Sequence, residues 1–112
     1  MKTYSAQSGY VYQYFYEGQR RTGSGEGAET EFVFSISADR KNWSQAAVVV
    51  GDAALRAWEE SNDRQLSATE RYAIAKVALF QAFDERATPA EMSGEIRVRA
   101  ADVDGIVESL DL

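Results

Sequence analysis

Ser67–Arg86 reads SATERYAIAKVALFQAFDER, and the fold hangs on it. Ser67 followed three residues later by Glu70 is a capping box: the serine oxygen takes an orphan backbone N–H and the glutamate reaches back to the cap. Neither Gly nor Pro interrupts the run, and Ala73, Ala75, Ala78, Leu79 and Ala82 favour a helix. On a helical wheel Tyr72, Ala75, Leu79, Phe80, Ala82 and Phe83 fall in one broad sector, opposite Glu70, Gln81, Asp84 and Glu85. A long amphipathic helix follows, and the rest of the chain must cover its apolar side.

Upstream, that cover has the character of a sheet. Gly9-YVYQYFYE-Gly18 alternates strictly, placing Tyr10, Tyr12, Tyr14 and Tyr16 on one side of a strand and Val11, Gln13, Phe15 and Glu17 on the other. Glu29–Ala38 alternates again, with Phe32, Phe34 and Ile36 as its inward face. Asp39–Asn42 is a turn, because Asp and Asn bond their own backbone. Trp43–Val50, with its Val48-Val49-Val50 run before Gly51, is a third strand. Asp52 then caps a first helix, Ala53 to about Asn62, that buries Leu55 and Trp58 and could pair Glu60 with Arg64.

Residues 18–28, GQRRTGSGEGA, have no apolar period and form a flexible Gly-rich loop between strands. Gly23-x-Gly25-x-x-Ala28 matches the dinucleotide-binding fingerprint in form only. That motif needs a helix after its turn, whereas a strand follows here. Downstream of the central helix, Thr88-Pro89-Ala90-Glu91 is a second capping box with Pro at the first helical position, giving a short turn before Gly94. Glu95–Arg99 is a short strand with Ile96 and Val98 facing in. Asp102 caps a terminal amphipathic helix carrying Val103, Ile106, Val107 and Leu110.

Composition narrows the chemistry. The 112 residues make a single α+β domain of order β-β-β-α-α-β-α, a two-layer sandwich whose mostly antiparallel sheet packs on the helix 67–86. There is no Cys and no His, so disulfides, thiolate nucleophiles, cysteine-type zinc sites and imidazole general bases are excluded. Twelve basic against eighteen acidic residues give a net charge of −6, which opposes duplex nucleic acid and anionic membranes. Absence of an apolar leader or membrane-length run points to the cytoplasm, where the sequon Asn42-Trp43-Ser44 has no meaning. Asp102-x-Asp104-Gly105 lacks the remaining ligands of a calcium loop, and the consecutive acids Glu59-Glu60 and Asp84-Glu85 form no acid/base dyad. No cofactor, metal site or catalytic constellation is expected.

Two features remain that could carry a function. Tyr10, Tyr12, Tyr14 and Tyr16 offer rigid aromatic area with polar tips, suited to a homodimer or to another protein. A single-stranded nucleic acid would need a basic groove, and Glu17, Glu26, Glu29 and Glu31 offset Arg20, Arg21, Arg97 and Arg99. Lys76 is the one charge in the apolar sector of the central helix. Either its stem lies on the aromatic surface with the ammonium in water, or it helps Tyr72 and Phe80 line a small-molecule pocket between sheet and helix. The first expectation is a non-enzymatic interaction module working through the tyrosine strand. The second is the small-molecule pocket, and the third an acidic inhibitor of a basic enzyme.

Overall fold

A computed structural model describes the whole chain, Met1–Leu112. Five strands form one sheet in the order β1-β2-β3-β4-β5: Lys2–Ser5, Val11–Thr22, Glu29–Ser37, Ser44–Gly51 and Gly94–Val98. The first four pair antiparallel, and β5 joins β4 in parallel after the chain has passed through α1 (Asp52–Asn62) and α2 (Ala68–Glu85). A parallel neighbour requires such a crossover. The last helix, α3 (Ala100–Ser109), packs against both α1 and α2. The α+β two-layer reading therefore holds, with one strand more than the sequence announced.

That strand is β1. KTYS has a single large apolar residue, too little for a periodicity, and what holds it is tertiary. Lys2 to Ser5 pair with Tyr14 to Val11. The Tyr4 ring stacks on Phe80 with centroids 4.3 Å apart, and its hydroxyl donates to Asp84 Oδ2 at 2.7 Å. The backbone N–H of Gln7 donates to the other oxygen of the same carboxylate at 2.9 Å. One acidic residue near the end of α2 thus pins the whole N-terminal hairpin.

β2 also runs further than its glycines suggested. Instead of a loop from Gly18, the strand continues to Thr22 through a register shift between Tyr16 and Gly18. Gly18, at φ +144°, takes up the irregularity, which is what a glycine in a strand interior often marks. The true connection begins at Gly23. A Cβ there would lie 2.6 Å from the Gly27 carbonyl oxygen, so only glycine closes this turn. Arg21 then reaches forward, its guanidinium donating to both oxygens of Asp52 at 2.8 and 2.7 Å and tying the end of β2 to the start of α1.

α2 forms as its cap dictates. Ser67 Oγ accepts from the Glu70 N–H at 3.1 Å, and Glu70 accepts in return from the Ser67 N–H at 2.9 Å. The second box, Thr88 with Glu91, opens a turn of 3₁₀ helix at Pro89–Met92. Asp102, expected as the cap of α3, is instead its third residue: the cap is Arg99, three positions earlier, whose N–H donates to the Asp102 carboxylate. Arg64 lies beyond the end of α1 and pairs with Glu70, not with Glu60.

A single apolar cluster joins the two layers. From the sheet it takes Tyr12, Tyr14, Phe32, Phe34, Ile36, Val48, Val50, Ile96 and Val98; from the helices it takes Leu55, Trp58, Ile74, Leu79, Phe83, Val103, Ile106 and Val107. Tyr72, expected in this core, is only half-buried and packs at its border. Val49 is buried too, yet it stands outside the cluster because it points to the other face of β4. All three helices lie on the cluster's side, which leaves that other face without a second layer.

Candidate interaction surface

The tyrosine strand divides against expectation. Tyr12 and Tyr14 point into the core and are buried: Tyr12 stacks on Phe83 at 4.1 Å, and Tyr14 meets Phe80 edge-on at 5.4 Å. Tyr16, at the rim, packs on Tyr72 at 4.8 Å, and Tyr10 precedes the strand and is exposed. The four phenols therefore do not form a docking strip. Helix α2 already covers two of them, because its Phe80 and Phe83 supply the aromatic partners that Tyr12 and Tyr14 need. Burial pushes the hydroxyls of Tyr12, Tyr14 and Tyr16 up from the ordinary phenol range, and the bond to Asp84 carries Tyr4 up to about 12.

The pocket expected around Lys76 is not among the main clefts: Tyr72, Lys76 and Phe80 line none of them. Phe80 is stacked on Tyr4, and Tyr72 lies against Phe34 at 6.2 Å. Lys76 instead lays its stem on the surface, with Nζ 5.8 Å from the centroids of both Tyr14 and Phe80. Partial desolvation, with Lys2 close by, lowers its pKa from the ordinary lysine value.

What remains open is the other face of the sheet, reached by the residues that alternate with the tyrosines. Val11, Phe15 and Trp43 are 45%, 40% and 41% exposed. Phe15 on β2 and Trp43 just before β4 meet at 5.4 Å across the intervening β3. The β3 residues beneath them make this possible, since Phe15 is opposite Ser35 and Gln13 is opposite Ser37, both short side chains. Gln13, between Val11 and Phe15 on the strand, is buried, and its Oε1 has no hydrogen-bond partner in the protein.

The opposite end of the same face is built differently. Glu31 and Arg97 flank Val49 on the neighbouring strands. Arg20 pairs with Glu31 at 2.6 Å, and Arg97 pairs with Glu29 and, at 2.8 Å, with Glu95. These ion pairs roof Val49. The face thus has a charged, self-satisfied end and an aromatic, uncovered end.

A cleft opens beside the aromatic end, with a volume of about 380 Å³. Tyr10, Tyr12, Ile36, Trp43, Pro89 and Ala90 supply most of its apolar wall, and Asp39 and Asn42 much of its polar rim. Asp39 closes the β3–β4 turn, its Oδ1 accepting the N–H groups of Lys41 and Asn42 at 2.8 Å each. Those donors hold its carboxyl far below the usual carboxylate range. No three His, Cys, Asp or Glu side chains gather as the ligands of a metal ion would. No helix is long and apolar enough to cross a membrane. Comparison with protein families, with curated proteins and with solved structures finds no match.

Proposed function

We propose that this protein is an interaction module that self-associates, and that it does so through the uncovered face of its sheet instead of the tyrosine stripe. One observation carries the reading: three helices cover one face of the sheet, while the other bears Val11, Phe15 and Trp43 in the open. Large apolar side chains grouped on a free sheet face are costly to leave in water, and a second apolar face is the cheapest cover.

Size favours a second copy as that cover. Five strands spaced about 4.8 Å apart, each about eight residues long at about 3.3 Å, present roughly 600 Å² in projection. Side-chain relief brings this near the approximately 800 Å² per partner of a stable interface. Two such faces stacked about a two-fold axis put aromatic cluster on aromatic cluster and leave the Arg20, Glu31 and Arg97 pairs at the rim, as an isologous contact requires. Each copy carries a charge of −6, so added salt strengthens the association by screening repulsion.

Sedimentation of the intact chain tests this. The native protein should run as a dimer and Phe15→Glu as a folded monomer; a native protein that stays monomeric at high concentration refutes the reading.

A further inference from the structure

The cleft beside Trp43 has the composition of a cation site. We infer that it binds an alkylated ammonium group, held between the rings of Tyr10 and Trp43 with Asp39 as its counter-charge.

Four observations converge on this chemistry. Three of the residues lining the cleft are aromatic, and two of them, Tyr10 and Trp43, are 39% and 41% exposed. A cation within about 6 Å of a ring centroid is attracted by the negative face of the ring, and several rings together select bulky, weakly hydrated ammonium ions. The charge lining the cleft is of one sign: Asp39 is there, and no Lys or Arg lines it. Arg40 and Lys41 of the same turn are exposed and lie outside it. The Tyr12 hydroxyl is buried in this wall without a hydrogen-bond partner, an acceptor or donor left over by the fold.

The fourth observation is internal to the molecule. Lys76 already sets an ammonium 5.8 Å from two aromatic centroids, those of Tyr14 and Phe80, with no carboxylate paired to it. This protein therefore already lays one cation of its own against aromatic faces. The Tyr10–Trp43 cleft adds a carboxylate to such aromatic faces and has no cation of the chain to fill it. Its volume falls within the range of small-ligand sites, about 300–1,000 Å³. An alkylated ammonium fits better than a primary amine, because its methyl groups meet the apolar wall of Ile36, Pro89 and Ala90 and it carries less hydration to strip.

Calorimetric titration of the full-length protein with choline and with its uncharged isostere, neohexyl alcohol, tests the site. Choline is expected to bind with a Kd of about 1 mM or tighter, and the isostere about tenfold more weakly. Tyr10→Ala should weaken choline about tenfold while leaving the thermal melt unchanged, since Tyr10 is exposed. Asp39→Asn keeps an oxygen for the turn N–H groups and should weaken choline several-fold without affecting the isostere. Equal binding of choline and neohexyl alcohol, indifference to Tyr10→Ala, or no heat at all up to about ten times that Kd would each overturn the inference. A peptide carrying trimethyllysine, titrated in parallel, identifies the source: tighter binding than choline assigns the ammonium to a side chain, and weaker binding assigns it to a free small molecule. Trp43 belongs to both surfaces, so the titrations are repeated on the Phe15→Glu monomer; because Tyr10 lies off the Val11–Phe15 face, failure with both proteins leaves the self-association reading standing.

Discussion

Tyr12 and Phe15 stand on the same strand, three residues apart, and meet opposite conditions. Tyr12 points toward α2, stacks on Phe83 and is lost to solvent; Phe15 points away, finds only Trp43 and stays two-fifths exposed. The residue with the hydroxyl is buried and the one without it is exposed, the reverse of what polarity alone would choose. What decides is the opposing surface. α2 brings two phenylalanines to the tyrosine side, and ring-on-ring area outweighs the cost of hiding a phenol. Nothing in the chain comes to the other side, so its aromatic residues stay open to solvent.

Substitutions on the two faces should separate in both size and kind. Phe83→Ala removes the ring that Tyr4, Tyr12 and Tyr14 share and should cost about 3–5 kcal/mol in a denaturant melt. On the open side, Phe15→Ser should change the stability of the single chain by no more than about 0.5 kcal/mol. Its effect should appear in association instead, about 30-fold weaker by sedimentation, as for a residue at the centre of an interface. If Phe15→Ser unfolds the chain while leaving association intact, the contrast between the faces fails.

A smaller effect sharpens the inner face. Tyr4→Phe loses the hydrogen bond to Asp84 and should cost about 1.5 kcal/mol at neutral pH. The Tyr4 pKa in the folded chain, about 12, lies above its ordinary 10.0, so its contribution is complete below pH 10 and disappears as pH rises toward 12. Native stability should fall across that alkaline interval, and the gap between native and Tyr4→Phe should close with it. The least effect belongs to the charged end: Arg97→Gln should leave the melt within its scatter at moderate salt, since exposed ion pairs contribute little.

Much of this architecture is legible in the residues themselves. The Ser67–Glu70 and Thr88–Glu91 boxes mark helical starts because a cap is local chemistry, complete within four residues. Phe32, Phe34 and Ile36 read as inward because their alternate positions, Glu31, Val33 and Ser35, are mostly polar. The Tyr10–Glu17 stretch gave no such contrast: both its faces are aromatic in part, so its orientation depended on Phe80 and Phe83, more than sixty residues away. Lys2–Ser5 was hidden for the same reason, being a strand only because β2 and Asp84 hold it. The open face could not be read either, since Trp43 and Phe15 become neighbours only once β3 separates their strands by two serines.

The parallel junction of β4 and β5 has a consequence for the order of assembly. Strands β1 to β4 are successive antiparallel neighbours joined by short turns, and each pairing closes a small loop. β5 can reach Ala46–Val50 only after the chain from Asp52 to Ser93 has been gathered into two helices and a turn. Long loops cost more entropy to close and delay the contacts they join. The Ile96 and Val98 contacts therefore belong to the late part of folding. Substitutions there should hasten unfolding while hardly slowing refolding, and the last strand should act as a latch on a meander already in place.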